Sequence, residues 1–321
     1  MSEHFIKKIK IKNFKCFENF SAEDFGRVNL IGGKNNVGKT ALMEACYIET
    51  SKDVFELYNR LLEIDTHRNI INNLLYQRDK KADIEKLVRD NLSLAIENVT
   101  IKLDKKDYLI HISTQKNSSS YEFSKLVELL DLSLISTKSS HSLNFIGQDS
   151  NPDWLINHLI GKSKLDDKYT DINKLLSSVF DVESIDMIDN LPYIKKDGKY
   201  LPLHNFGQGI KSFIDIIFSI VLSNNHTIFI DEIENGIHYT NFDKLWEIIL
   251  TISKQQNVQV FATTHSKECI ESYAKAAEKL DDNDIAFIEM GKNKEGHIRA
   301  IVTDSEQFFT DLEVGNEVRG W

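Results

Sequence analysis

Cysteine and proline are both scarce, with three of each among 321 residues. Cys16, Cys46 and Cys269 lie far apart with no metal-ligand spacing. That excludes a disulfide-stapled secreted framework and a cysteine-held zinc module, and it fits a reducing cytoplasm. So few prolines, alongside 41% hydrophobic residues, exclude a disordered chain and leave enough apolar material for a sizeable core. Long apolar runs are missing too. The longest, Phe213 to Leu222, is broken by Asp215 and falls far short of the roughly 20 residues that cross a bilayer, so no membrane span or membrane partner is expected. Met1 to Phe14 alternates lysines with Ile9 and Ile11 where a signal peptide would be continuously apolar, and it reads as a strand. No repeat of about 20 to 50 residues and no sustained heptad pattern occurs, which excludes a solenoid and a long coiled-coil arm.

An excess of positive charge is also absent. The formal net charge is −10, which argues against a generally basic nucleic-acid binder, because phosphate neutralisation needs clustered Lys and Arg. Lys7, Lys8, Lys10, Lys12 and Lys15 supply a local basic patch, although the same alternation describes the solvated face of a strand. From Lys267 onward seven basic residues stand against thirteen acidic ones, so that end is not expected to hold DNA.

What the sequence does contain is a nucleotide-binding order of elements. The apolar strand Val28 to Ile31 runs into a glycine-rich loop and a helix from about Lys39. Residues 53–95 read as helical, with Val54, Leu57, Leu61, Leu62 and Ile64 as one apolar stripe. Val99 to Leu103 and Tyr108 to Ile112 alternate around the 104–107 turn as a hairpin, and Gln115 to Ser120 reads as a loop. A short strand, Leu143 to Ile146, precedes helical sequence from about Asp153 to Phe180. A second hairpin is expected around Asp197-Gly198. From residue 205 helix and strand alternate: helix to about Leu222, strand Thr227 to Ile230, helix about Asn241 to Lys254, strand Val258 to Ala262, helix from Ser266. That is the pattern of a parallel sheet with helices on its faces, in which ligands sit at the carboxyl ends of the strands.

The informative residues lie at those ends. Gly33-Lys34-Asn35-Asn36-Val37-Gly38-Lys39-Thr40 matches the phosphate-loop pattern G-x-x-x-x-G-K-[ST] in its required strand-to-helix setting. Its backbone N–H groups would cradle phosphates, Lys39 would neutralise the β and γ phosphates, and Thr40 would give its hydroxyl oxygen to Mg²⁺. Thr227 to Ile230 is a buried strand ending in Asp231 and Glu232, the first placed to hold Mg²⁺ and the second to act as general base on the attacking water. His265 ends the next strand at the same sheet edge, within reach of a γ-phosphate, and Ser266 reads as the N-cap of the last helix. Asn205-Phe206-Gly207-Gln208-Gly209 precedes an apolar helix and offers a second anion site. One chain with a phosphate loop needs no second cradle, but in a two-fold dimer each protomer's cradle can close on its partner's nucleotide.

In this order the residues resemble the ABC-type ATPase superfamily over nearly the whole chain. Residues 33–40 look like its Walker A motif, 205–209 a degenerate signature motif, 227–232 Walker B, 234–238 the D-loop region and His265 the switch histidine. Ile11 to Phe17, Asp231 to His238 and Thr263 to Ser266 look closest to the RecF, SMC and OLD-nuclease branch, and within it to the short stand-alone ATPases of bacterial anti-phage defence operons. The resemblance implies an α/β P-loop ABC-type head: a mostly parallel sheet flanked by helices, an N-terminal antiparallel β subdomain and a helical insertion. It further implies one domain over residues 1–321, with 1–50 and 205–321 as nucleotide-binding core, 51–142 as a helical and hairpin insertion, and 143–204 as a helical lobe leading to the signature. By the same resemblance Gln148 is the candidate Q-loop glutamine, joining Mg²⁺ and the attacking water, and Lys15 is expected near the adenine.

The expected cofactors are therefore ATP and Mg²⁺, the expected site Gly33 to Thr40 with Asn205, Gly207, Gln208, Asp231, Glu232 and His265, and the expected activity ATP hydrolysis, with GTP use left open. Asn205 and Phe206 stand where the family has serine and glycine, so slow turnover is expected. OLD nucleases continue into a Toprim nuclease domain, and the 56 residues after His265 are too few for one. The leading expectation is a cytoplasmic regulator or scaffold in bacterial defence, whose nucleotide-driven homodimer or larger oligomer controls an effector, a nuclease or toxin encoded nearby. The alternatives are a DNA-repair or chromosome-maintenance ATPase that grips DNA directly, and a transporter nucleotide-binding subunit, the latter disfavoured by the long stretch from 51 to 204.

Overall fold

The structure is a computed structural model describing residues 5–68, 86, 88–91, 93–104, 109–114, 116–136, 145–146, 153–223 and 226–315. Its first part runs β1 (Lys8–Phe14), β2 (Phe17–Glu23), β3 (Val28–Gly33), α1 (Lys39–Glu49), α2 (Val54–Arg68), β4 (Ala95–Ile96), β5 (Val99–Asp104), β6 (Leu109–Ser113), β7 (Ser118–Glu122) and α3 (Phe123–Ser136). Then come β8 (Phe145–Ile146), α4 (Asp153–Leu165), α5 (Tyr169–Val179), β9 (Ser184–Ile188), β10 (Leu191–Lys196) and β11 (Lys199–Pro202). The last part is α6 (Gln208–Leu222), β12 (Thr227–Ile230), α7 (Phe242–Gln256), β13 (Gln259–Thr263), α8 (Lys267–Lys279), β14 (Ile285–Lys292), β15 (Ile298–Thr303) and α9 (Ser305–Glu313).

The central sheet has the order β15-β14-β3-β13-β12-β8. Its pairings are parallel except that of β14 with the edge strand β15. Because successive side chains of a strand point to opposite faces, each strand feeds two cores. Val28, Leu30, Ile228, Ile230, Val260, Ala262, Ile285 and Phe287 pack into one, with α6, α7 and α8. Ile31, Phe229, Phe261, Ile288 and Met290 enter the other, with α1 and a second sheet. Phe229 and Phe261 stack there with ring centroids 5.7 Å apart. That second sheet is antiparallel throughout, with order β2-β1-β4-β5-β6-β7, so the strands of residues 95–122 continue the one begun by residues 8–23. Among the described residues no helix is long and apolar enough to cross a membrane.

The central sheet is anchored at its amino-terminal edge by a buried cation. Arg27, 4% exposed, donates to Leu250 O, to Ser253 Oγ and to the equally buried Asp282, joining the start of β3 to α7 and to the turn before β14. Buried charges are tolerated when paired and hydrogen-bonded, and this one has a carboxylate and two further acceptors.

Several expectations need correction. Residues 53–95 are not helical to their end: Ala95 and Ile96 form β4 and turn tightly into β5 through Glu97, which is left-handed at φ 37°. Two residues are too few for a strand period to show. The loop expected over 115–120 contains the start of β7, an exposed polar edge strand whose sequence carries no apolar alternation. The helical stretch 153–180 is two helices, separated where Asp167 turns left-handed at φ 55°. The hairpin around Asp197-Gly198 forms, with both residues at positive φ, but β9 adds a third strand to it. Residues 153–204 are thus helices plus a small antiparallel sheet. Gln148, residues 105–108 and residues 143–144 lie outside the described residues, and so does the side chain of Leu62.

Candidate functional site

The loop between β3 and α1 owes its shape to two glycines. Gly33 has φ 142°, and a Cβ there would lie 2.4 Å from Met290 O of the neighbouring strand. Gly38, at φ 90°, is the N-cap of α1. Between them Asn36 adopts φ 61°, which asparagine tolerates better than other side chains. The result is a chain of backbone N–H groups curled at the N-terminus of an 11-residue helix, the geometry that binds anions.

Lys39 is 6% exposed, and its ammonium reaches back over the loop to Gly33 O at 2.8 Å and Lys34 O at 2.9 Å, with His265 Nδ1 at 3.1 Å. An ammonium has three donors and no acceptor, so these three contacts use it completely. The imidazole must then accept through Nδ1 and carry its proton on Nε2, which lies 3.6 Å from Glu232 Oε1. Burial pulls the Lys39 ammonium down to about 8, opposed by the carboxylates of Glu234, Asp231 and Glu232. An arriving polyphosphate would relieve that desolvation by supplying the missing counter-charge.

The parallel register of β12 and β13, with Ile230 opposite Ala262, sets Asp231 beside Thr263. Thr263 Oγ1 donates to Asp231 Oδ1 at 2.6 Å and accepts the Glu232 N–H at 2.8 Å. The Asp231 carboxylate also accepts from Thr40 Oγ1 at 3.1 Å, and the Asp231 N–H bonds Ile146 O of β8. Glu232 is held left-handed at φ 50°, and its carboxyl is pushed above the usual range by burial and by the adjacent Asp231, partly offset by His265. A carboxylate so raised is a better proton acceptor. Thr40 Oγ1 and the Asp231 carboxylate form a pair of hard oxygen donors at the mouth of the phosphate loop, the kind of protein contribution Mg²⁺ takes when phosphates and waters complete its shell.

These groups open on a cavity of about 900 Å³ lined by Asn35, Asn36, Gly38, Lys39, Thr40, Glu232 and His265, with Lys15 and Cys16 at its margin. Lys15 Nζ lies 2.5 Å from Glu44 Oε2, a carboxylate only 2% exposed. Ser266 caps α8, accepting the Cys269 N–H at 3.1 Å, as its sequence position indicates.

Asn205, Gly207 and Gln208 are placed elsewhere: none of residues 205–209 lines the cavity. Asn205 ends a short 3-10 turn, Gly207 is the N-cap of α6, and a Cβ on Gly207 would meet nothing within 4 Å. Gly209 packs on Gly236, where an added Cβ would come within 2.4 Å of the Gly236 carbonyl oxygen. Thr263 and Glu234, whose Oε1 accepts the His265 N–H at 2.6 Å, join this cluster, although the motif stretches that contain them gave neither a role of its own. The register of two parallel strands carried the signal for Thr263. Glu234 acts on a backbone group and leaves no side-chain pattern.

A family model described as "AAA domain, putative AbiEii toxin, Type IV TA system" matches residues 83–271, more than half of the chain. An "ATP/GTP phosphatase" of Helicobacter pylori is 27% identical over 321 residues, covering 83% of this chain and 86% of that protein. "DNA replication and repair protein RecF" of a Geobacillus species is 31% identical over 116 residues, which span 36% of this chain and 28% of RecF. Among solved structures, an SMC head bound to the C-terminal winged-helix domain of ScpA superposes with a TM-score of 0.52 at 13% identity, covering 95% of this chain and 99% of that one. That likeness is one of fold.

Proposed function

The chain belongs to the family of AAA domains described as putative AbiEii toxins of type IV toxin–antitoxin systems, and it is an ABC-type ATPase of the RecF/SMC branch; from that premise we propose that it is a nucleotide-driven dimerisation switch that controls a partner effector. ATP would lie with its phosphates on residues 33–40, Mg²⁺ on Thr40 and Asp231, and the attacking water between Glu232 and His265. Bound there, Mg²⁺ would neutralise charge on the β and γ phosphates. Glu232 would take the proton of the water, and the imidazole, released from Lys39 by the incoming phosphate, would donate through a ring N–H to a γ-oxygen.

The observation that carries the dimer is the separation of the two anion cradles. Asn35, Asn36, Gly38, Lys39 and Thr40 line the cavity, whereas Gly207, at the head of the 15-residue α6, lies outside it and faces open space. A helix N-terminus so exposed is useful to this chemistry when a second subunit brings its own nucleotide to it. The test is the mass of Glu232→Gln protein by light scattering, with and without Mg²⁺ and ATP. A monomer under both conditions would remove dimerisation from the reading. The effector, a nuclease or toxin in bacterial defence, is the part drawn from the family description and from the resemblance in the sequence. Co-purification of the native complex with the product of a neighbouring gene tests it.

A direct DNA role is the second reading, favoured by one feature: the alternation of β1 sets Lys8, Lys10 and Lys12 on its exposed face, although Lys8 already pairs with Glu97 at 3.6 Å. Binding of duplex DNA whose affinity falls steeply with salt would favour it over the effector reading.

A further inference from the structure

One carboxylate at the site has no task in the chemistry above. Glu234 stands three residues beyond Asp231, and one of its oxygens accepts the His265 backbone N–H at 2.6 Å. Its other oxygen, Oε2, is buried and has no partner among the described residues. A buried carboxylate oxygen without a donor costs free energy, so its presence calls for a compensating role.

The segment that carries Glu234 has little slack. Ile233 N bonds Thr263 O at 3.0 Å, Asn235 N bonds Glu232 O at 2.8 Å, and Ile237 N bonds Glu234 O at 3.0 Å. On the far side the segment is pressed against the head of α6. Ser212 Oγ donates to Asn235 O at 3.2 Å, and Gly236 is left-handed at φ 74°, where a Cβ would stand 2.6 Å from Gln208 Cγ. Backbone therefore runs in close contact from Gln208 and Gly209 through Gly236 to Glu234, and the carboxylate spans the last step to His265.

We propose that Glu234 is a positioning residue that ties His265 to the loop at the head of α6, so that the place of the imidazole between Lys39 and Glu232 follows the state of residues 207–209. The proposal rests on the reading that His265 serves hydrolysis and that residues 207–209 engage a partner's nucleotide. Contact at Gly207 would then be felt by the same subunit's own histidine, through a carboxylate that touches neither nucleotide.

The test uses the full chain as wild type, Glu234→Ala, Glu234→Gln, His265→Ala and the Glu234→Ala/His265→Ala double variant. Two readouts are taken: the His265 amide and imidazole ¹⁵N resonances without nucleotide, and steady-state hydrolysis. Glu234→Gln keeps an oxygen that can accept the His265 N–H, so its His265 resonances should stay near wild type and its kcat should remain within about threefold. Glu234→Ala should shift both resonances and lower kcat by about 30-fold with KM changed less than about threefold, while adding it to His265→Ala should cost no more than about twofold. Multiplying effects in the double variant, a rise in KM with kcat intact, or unmoved His265 resonances in Glu234→Ala would each overturn the proposal. The resonances need no turnover. If wild type hydrolyses nothing, the ATPase reading falls, and displacement or constancy of the His265 ring signals in Glu234→Ala still decides the positioning role.

Discussion

Thr263 holds Asp231 from the neighbouring strand, its hydroxyl donating to Oδ1 at 2.6 Å while accepting the Glu232 N–H at 2.8 Å. One hydroxyl thus orients the carboxylate proposed to hold Mg²⁺ and the backbone of the proposed base. Thr263→Val keeps the shape and removes both bonds, leaving the Glu232 N–H without its acceptor and Asp231 Oδ1 with Thr40 alone. A stability loss of about 1–3 kcal/mol is expected from the unsatisfied groups. The Mg²⁺ concentration for half-maximal hydrolysis should rise several-fold, and Thr263→Ser should recover most of it. An unchanged Mg²⁺ requirement would show that Asp231 needs no such support.

Lys39 and Glu232 face the same cavity but should fail in different ways. Lys39→Ala removes the loop's own ammonium, whose donors the Gly33 and Lys34 carbonyls and His265 occupy when no phosphate is present, and nucleotide binding should be lost. Glu232→Gln leaves Thr40 and Asp231 in place, so nucleotide and Mg²⁺ should bind while hydrolysis falls by roughly 10²- to 10⁴-fold, the usual cost of losing a general base. Calorimetric titration beside a phosphate-release assay separates the two, and normal turnover by Glu232→Gln would strike it from the chemistry.

Arg27 offers a test of the scaffold away from the cavity. Arg27→Met would leave Asp282, itself 5% exposed, as a buried charge without its guanidinium. Breaking one side of such a pair costs about 3–5 kcal/mol, and chemical denaturation should show a loss of that order. The companion change, Asp282→Asn in the Arg27→Met background, should return part of it by removing the stranded charge. Additive losses in the double variant would mean that the two side chains do not act as a pair.

How much of this was legible in the sequence depended on how local each signal was. Gly33 to Thr40 is a contiguous motif with its own strand and helix, and Asp231 and His265 end apolar strands, so their shared sheet edge followed from periodicity. Ser266 as N-cap was readable for the same reason. Thr263 required the strand register, which was available in principle because Ile230 and Ala262 are neighbours in a parallel pair. Glu234 was out of reach, since its partner is a backbone N–H of a loop 31 residues away. Lys15 was expected near the base of the nucleotide and does lie at the cavity margin, but its ion pair with the buried Glu44 depends on how α1 packs against β1. The edge strand β7 is three serines, Tyr121 and Glu122, and only Tyr121 packs against the core, so one apolar residue leaves no strand period in hydropathy.

The last prediction separates a machine that works in trans from a P-loop enzyme that works alone. Gly207→Glu should fold normally, because a Cβ at that N-cap meets nothing within 4 Å and the backbone there is in an ordinary extended conformation. The variant's own residues 33–40 are untouched, so it should bind ATP like wild type. In a dimer the new carboxylate would face the partner's γ-phosphate, and like charges at that range, partly desolvated, repel by several kcal/mol. Hydrolysis should therefore fail with binding intact. Lys39→Ala fails for the complementary reason, having an intact residue 205–209 cradle and a broken phosphate loop. Mixing the two inactive proteins creates heterodimers in which one composite site pairs an intact phosphate loop from one chain with an intact cradle from the other. Random pairing makes about half the dimers heterodimers, each with one whole site of two, so activity should return to about a quarter of the wild-type level if one site works unaided. Full hydrolysis by Gly207→Glu alone would reduce Asn205 to Gly209 to a turn before a helix and take the trans arrangement with it.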